Sequence, residues 1–432
     1  MKKLEILKKI YFENINREIS GILILFKELL DFGVIEFITQ PATHPLLPMY
    51  DNEKIIDFQI KTGINIYKNI FGSEPSGIWL PEEAYKQNLI FILKKNGIKY
   101  TILEPNSIGL DRKLYSFFCY DDFAFFIRDI KMTDLVWDKQ TGYPGNGNYR
   151  EFFKDAGYDW KYSIISDYLY DNSLDYEGET RHPFGIKFHK ITDKNLPLEE
   201  KDFYCRFSGI KQAKNDAKHF INSFSETSLF PENNSVSVLA FDCELFGHWW
   251  RDGIEWLYYL MSDIIENEYL ELTTLSKYYN DNIENAPFLK PRFSSWGWNG
   301  YLEYWCTDEN LDVWFKINDT IEKFEKILDN YNNINNKKIY EAIEQMLREI
   351  LLLQSSDFPF IISNKGAINY SRIRINRHYQ RFLAIYKQIQ DGDIDEFWLN
   401  QIKNEDNIFE NISLLEIYKN SIDLKEKWLE IY

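Results

Sequence analysis

The ten residues Phe241-Asp242-Cys243-Glu244-Leu245-Phe246-Gly247-His248-Trp249-Trp250 put two carboxylates, an imidazole and two indoles at the end of an apolar run, Val236-Ser237-Val238-Leu239-Ala240-Phe241. Such a run predicts a buried parallel strand. In a parallel α/β barrel, reacting groups gather at the carboxyl ends of strands. Carboxyls beside broad flat rings suit protonation of a leaving oxygen on a stacked sugar. Asp242, Glu244 and His248 equally offer ligands to a hard cation or zinc. A carboxylate that caps the next helix is the third reading, and the residues alone leave all three open.

Other stretches carry similar chemistry. Tyr149-Arg150-Glu151-Phe152 follows the Gly/Pro-rich loop Thr141–Asn148. A cation next to Glu151 would keep it ionised, as a nucleophile requires; a surface Arg–Glu pair is the plainer alternative. Gly77-Ile78-Trp79-Leu80-Pro81-Glu82 sets an indole and a carboxylate at a strand end, which fits a sugar subsite or simple packing. Ser294-Ser295-Trp296-Gly297-Trp298, with Trp305 beyond, can hold sugar rings or tie two layers together. Gln354–Phe360 with His378 reads as a helix-end fold feature, and His182, His189 and His219 as surface or core residues.

Length and charge narrow the class. A chain of 432 residues accommodates one large α/β domain and a smaller one. The net charge of −17 argues against nucleic acid or an anionic membrane as partner. The four cysteines, Cys119, Cys205, Cys243 and Cys306, lack CxxC spacing, so neither a zinc site nor a disulfide framework is expected, and a reducing cytoplasm is the simple setting. No cofactor is indicated. The amino terminus lacks the apolar core of a signal peptide, and Lys27 and Glu28 interrupt its greasiest run.

Strand-like and helix-like segments alternate through the first two thirds, predicting a parallel sheet or barrel. Strands are expected at Val34–Thr39, Gly77–Leu80, Lys99–Leu103, Phe123–Ile127, Phe184–Phe188 and Val236–Phe241, with helices near Ile55–Ile70 and Asn88–Asn96. Residues 141–235 read as irregular. Apolar spacing of three to four residues predicts helices at Val313–Tyr331, Lys338–Leu353, Tyr370–Gln390 and Ile412–Ile431. The expected organisation is a barrel over 1–290, with 152–235 partly an inserted lid, then a helical domain over 291–432.

Taken in order, these stretches resemble glycoside hydrolase family 57, and within it the group of 1,4-α-glucan branching enzymes. Ala42-Thr43-His44-Pro45 is similar to the family's Ala-Thr-His strand end. Gly77–Glu82, Gly142–Phe152, Phe241–Trp250 and Ser294–Trp305 are similar to four further motifs, and Leu351–Phe360 with Tyr370 and His378 to the helical part. The resemblance implies a distorted (β/α)7 barrel with an inserted segment and a helical C-terminal domain, acting on α-glucan. It implies Glu151 as nucleophile and Asp242 as general acid/base of a retaining reaction, their carboxyls about 5–5.5 Å apart. It further implies His44, Trp79, Glu82, Arg150, Glu244, His248, Trp296 and Trp305 as substrate-binding groups, and no metal.

The chain departs from the family pattern at its start. No His-x-His or His-Gln-Pro motif precedes His44, and residues 1–32 read as the helix leading into the second strand, so the first strand is expected to be missing. The short interval between Glu151 and Asp242 suggests a trimmed lid, and Glu83 replaces a small residue after Pro-Glu. Three rivals follow: a non-catalytic α-glucan-binding remnant, a split enzyme whose opening segment comes from a separate chain, and a metal-dependent deacetylase. The last wants an Asp with a His-x-x-x-His pair, which this sequence lacks. Within the family, α-amylase and 4-α-glucanotransferase activities also stay open.

Overall fold

The computed structural model describes residues 26–109, 114–138, 140–171, 181–231, 234–330 and 336–421. The opening helix expected over 1–32 is described only at 26–31, where it is helical; the rest of that expectation, including the absent first strand, lies outside the described residues. The chain divides into two compact units. One is Arg128–Thr274 with Met1–Ile35, the other Glu36–Ile127 with Leu275–Tyr432.

The second unit holds a sheet of four described strands: β1 (Gly77–Ile78), β2 (Tyr100–Leu103), β3 (Phe117–Tyr120) and β4 (Phe123–Ile127), in the order β1-β2-β4-β3. β1, β2 and β4 run parallel, with Gly77 opposite Tyr100 and Leu103 opposite Ile127. β2 and β4 are buried throughout, as strands covered on both faces must be. β3 is an antiparallel edge that the sequence reading did not anticipate. Its hairpin turns at Asp121 and Asp122, both with positive φ (51° and 55°), as a two-residue type I′ turn demands.

Helix Glu53–Phe71 begins where the Asn52 side chain accepts from the Ile55 N–H (3.0 Å) and ends at Gly72 in the left-handed region. In the C-terminal part, Lys337–Leu353 lies against Ile368–Asp391, and its middle is buried from Ala342 to Leu351. Polar residues inside that stretch are spent on residues 406–415. Glu344 accepts from the Leu414 and Leu415 N–H groups (3.1 and 2.9 Å) and so caps helix Leu414–Lys419. Helices Leu311–Asn330, Asp357–Ser363 and Glu396–Glu405 are also described here.

The first unit is built on Arg206–Thr227 packed along Gly253–Ile265, with Met132, Tyr149, Ala213, Ala217, Phe220, Trp250, Trp256 and Leu260 in its core. The long helix contradicts the irregular reading of 141–235. Its buried stripe consists of Gly209, Ala213, Asp216, Ala217 and Phe220, mostly small or polar residues that give little periodic signal.

Three expected strands are not ladder strands. Thr39 makes one parallel bridge to Ile78, and Val238 one to Arg128. Around Val238 the side chains do the anchoring: Asp129 accepts from Ser237 Oγ (2.8 Å), Ser228 Oγ (2.5 Å) and the Met132 N–H (3.2 Å). Val236–Phe241 is therefore an extended segment, buried at Val236 and Val238 and half-buried elsewhere, not a doubly covered strand. Phe184–Phe188 is likewise irregular, held where the Phe184 and Gly157 N–H groups donate to Asp155 Oδ1 (2.7 and 2.8 Å). Among the described residues, no helix is long and apolar enough to cross a membrane.

Candidate active site

The segment that delivers Glu151 is set by backbone approach. The Thr192 N–H donates to Gly147 O (2.9 Å), and a Cβ on Gly147 would fall 2.3 Å from Thr192 O, so only glycine fits there. The Ile191 N–H then bonds Tyr149 O (2.8 Å) and the Glu151 N–H bonds His189 O (2.8 Å). This short antiparallel pairing fixes the direction of residues 147–151.

Glu151 is 6% exposed. Its Oε1 accepts from the Phe153 N–H (2.9 Å), and its Oε2 lies 3.5 Å from Lys201 Nζ. Lys201 also donates to the carbonyls of Ile191 (2.8 Å) and Asp193 (2.5 Å), which hold the ammonium in place. The buried carboxylate is thus paired with a cation, but Lys201 supplies it; no local sequence signal links a lysine so far downstream to Glu151. The backbone N–H of Arg150 donates to Asp252 Oδ2 (3.2 Å).

Asp242 opens the second strip. Its backbone carbonyl accepts from the Leu245 N–H (3.1 Å) and starts a 3-10 turn over Cys243–Leu245. The loop then folds on itself: the Gly247 N–H bonds Trp250 O (2.9 Å), with Gly247 at φ 98°, and the Trp249 N–H bonds Glu244 O (3.1 Å). Trp250 points into the core, whereas Trp249 is half exposed; Asp242 is half-buried, and Glu244 and His248 are exposed.

The two strips are joined on both sides of Glu151. The Tyr149 ring packs on Trp250 (5.3 Å), Arg150 bonds Asp252, and the Phe152 ring meets His248 (5.2 Å) and Trp249 (4.5 Å). The segment that carries a buried, cation-paired carboxylate therefore packs, through its neighbours, on the far end of the loop that begins with a second, half-buried carboxylate. Asp252 anchors this seam. It is fully buried, burial holds its carboxyl above the usual carboxylate range, and it accepts from Arg150 N–H and Tyr204 OH. Asp252→Ala strands both donors and is expected to cost about 1–3 kcal/mol. A denaturant titration showing no loss would refute that role.

The other sequence-predicted residues lie in the second unit. His44, Glu82 and Trp296 come together there. Ser356 Oγ bonds both His44 Nδ1 (2.8 Å) and Glu82 Oε1 (2.9 Å), and Trp296 Nε1 donates to Glu82 Oε2 (2.6 Å). Trp79 meets Trp296 edge-on at 5.2 Å. The cause is a bridge between Pro45 and Ser355, with the Ser356 N–H donating to His44 O (3.0 Å). The stretch read as a fold feature thus also places Ser356, a hydroxyl that sequence reasoning missed, between two of the predicted residues.

Burial pushes the Glu82 carboxyl above its ordinary range, opposed by His44 and by the bonds from Trp296 and Ser356. His44, Glu82 and Glu83 all have positive φ (57°, 63° and 48°). For non-glycine residues such conformations cost on the order of 1–3 kcal/mol each and cluster at functional sites. Trp305 is apart from this group, 1% exposed and stacked on Phe360 (6.0 Å). His378 Nδ1 lies within hydrogen-bond distance of Glu349 Oε2 (2.7 Å), and Arg381 bonds Asp406 beside them, forming a buried polar network.

Comparison with known proteins gives this site its family. The sequence model for Glycosyl hydrolase family 57 matches residues 4–292, and that for the 1,4-alpha-glucan branching enzyme C-terminal region matches 316–416. A 1,4-alpha-glucan branching enzyme of Thermococcus kodakarensis is 27% identical over 92% of this chain, which spans 61% of that enzyme's length. Among solved structures, the alpha-amylase AmyC of Thermotoga maritima is 30% identical with a TM-score of 0.83, covering 95% of this chain and 78% of AmyC. The branching enzyme of Pyrococcus horikoshii is 28% identical with a TM-score of 0.80, covering 95% and 76%. The chain belongs to glycosyl hydrolase family 57, with the family's distorted barrel and a helical C-terminal part.

Proposed function

We propose that the chain is a retaining α-glucan-active enzyme that cleaves α-1,4 bonds and transfers the freed chain to a sugar 6-hydroxyl. Glu151 attacks the anomeric carbon while Asp242 protonates the departing glycosidic oxygen. Asp242 then takes the proton of the incoming 6-hydroxyl as that oxygen displaces Glu151, and two displacements restore the α configuration. The observation that carries this reading is the seam that fixes residues 149–152 against 248–252 on both sides of Glu151.

Arg150, Glu244 and His248 are the sugar-binding groups beside this pair, and His44, Trp79, Glu82 and Trp296 are those of the second unit, whereas Trp305, buried against Phe360, supports the fold and touches no sugar. Trp249, half exposed and braced by Phe152, offers a ring face for stacking. Branching rather than hydrolysis is favoured by the match of 316–416 to the branching-enzyme C-terminal region and by the names of the relatives. A role in glycogen formation in the cytoplasm fits that reading and the free cysteines.

Incubation with amylose followed by enzymatic debranching tests the proposal. New α-1,6 linkages are expected. Shortened chains without them would favour hydrolysis, the second reading, which the likeness to AmyC supports. Binding without either product would identify a non-catalytic member.

A further inference from the structure

At the β3 edge of the sheet lies a cleft of ≈ 580 Å³ that no step above uses. Its volume falls within the span of about 300–1,000 Å³ typical of small-ligand sites. Three aromatic rings, Phe91, Tyr120 and Phe288, line it together with Gln87, Asn88 and Asp121. Glu82 follows β1, the strand at the opposite end of the order, and its described contacts include none of these six.

The rings are presented, not buried. Phe288 is 72% exposed and Phe91 40%. Phe288 is held rigidly, because the Cys119 N–H donates to Pro287 O (2.9 Å) and the Leu289 N–H to Cys119 O (2.9 Å), clamping its backbone along β3. Its ring lies 5.3 Å from that of Tyr120 at 45°. Gln87 Nε2 donates to Tyr120 OH (3.3 Å) and fixes the second ring. Asn88 Oδ1 is buried without a donor among the described residues. Asp121, exposed at the hairpin tip, has Lys94 Nζ against its backbone carbonyl (2.5 Å).

Exposed rings alternating with amides and a carboxylate match the two chemistries of a hexose. Its C–H face stacks on an aromatic ring, and its hydroxyls donate to and accept from amide and carboxylate oxygens. Lys94 pairs with Asp121 (3.5 Å), and Lys95 and Lys290 each cover one face of Phe91 and Tyr120 (4.7 and 5.9 Å), which leaves Phe288 as the open stacking face. We propose that this cleft is an auxiliary site for an α-glucan chain, built from residues that take no part in the reaction. The inference rests on the α-glucan reading given above.

Native electrophoresis of the full chain in gels with and without amylopectin tests it. Phe288→Ala removes an exposed ring, so thermal unfolding should be unchanged. Loss of one stacking platform should weaken apparent amylopectin affinity about three- to tenfold, while turnover of a short maltooligosaccharide stays within about twofold. Asn88→Ala should weaken binding in the same direction without moving that turnover. Unchanged retardation of Phe288→Ala overturns the proposal, including the case where the cleft serves a protein partner. Full activity of Glu151→Gln would sink the catalytic assignment but leave the retardation result standing, so the two failures are distinguishable.

Discussion

Replacing Glu151 by Gln is expected to lower glucan transfer at least about a thousandfold while leaving a folded protein. The amide keeps an oxygen to accept from the Phe153 N–H, so the local turn survives. What disappears is the negative charge to which the proposal assigns attack on the anomeric carbon. The substitution also takes the carboxylate from Lys201. Stripping one partner from a buried ion pair costs about 3–5 kcal/mol when the remaining charge is left bare. Lys201 retains two backbone carbonyls, so a smaller loss is expected. Linkage analysis and thermal unfolding of one preparation separate the two effects. Activity within tenfold of the parent would remove Glu151 from the mechanism.

The second large effect is expected at Asp242. Asp242→Ala preserves the turn, because the backbone carbonyl makes the bond to Leu245. Loss of a general acid costs about 10²–10⁴ when the leaving group is a sugar alcohol. A maltosyl substrate with an acidic phenol as leaving group needs no proton in the first step. The variant should therefore release phenol in a burst and then stall, because no base activates the acceptor. Azide, a nucleophile needing no base, should restart turnover and give a glycosyl azide. Equal losses on both substrates, with no burst, would assign Asp242 a structural role instead.

How much of this was legible in the sequence follows from the kind of signal each element carries. The helices at Glu53–Phe71 and Lys337–Leu353 were readable because large apolar residues recur on one face. Arg206–Thr227 was not, because its contact face is glycine, alanine and an aspartate bonded to Tyr149. β3 was missed although Asp121-Asp122 between two aromatic runs is a hairpin signal; the run was too short to show alternation. Val236–Phe241 looked like a buried strand from its apolar content, yet serine and aspartate side chains fix it where a ladder was expected.

In the candidate site, residues could be singled out by type and order, whereas their partners could not. Lys201 and Asp252 are placed by tertiary pairing, and nothing adjacent in sequence marks them. A hydroxyl or lysine carries meaning only once the fold sets it beside a carboxylate. Strain was equally hidden, since positive φ at His44, Glu82 and Glu83 follows from chain path and not from residue type.

Covalent trapping of the glycosyl-enzyme is the most direct measurement. A maltosyl fluoride fluorinated at C5 slows both displacements, while the fluoride leaving group lets the first proceed. Mass spectrometry of the digested protein should find one sugar adduct, on the peptide containing Glu151, and none on Glu151→Gln. An adduct on Glu82 or Glu244, or turnover with no adduct and inversion at the anomeric carbon, would contradict the assignment of Glu151 as nucleophile.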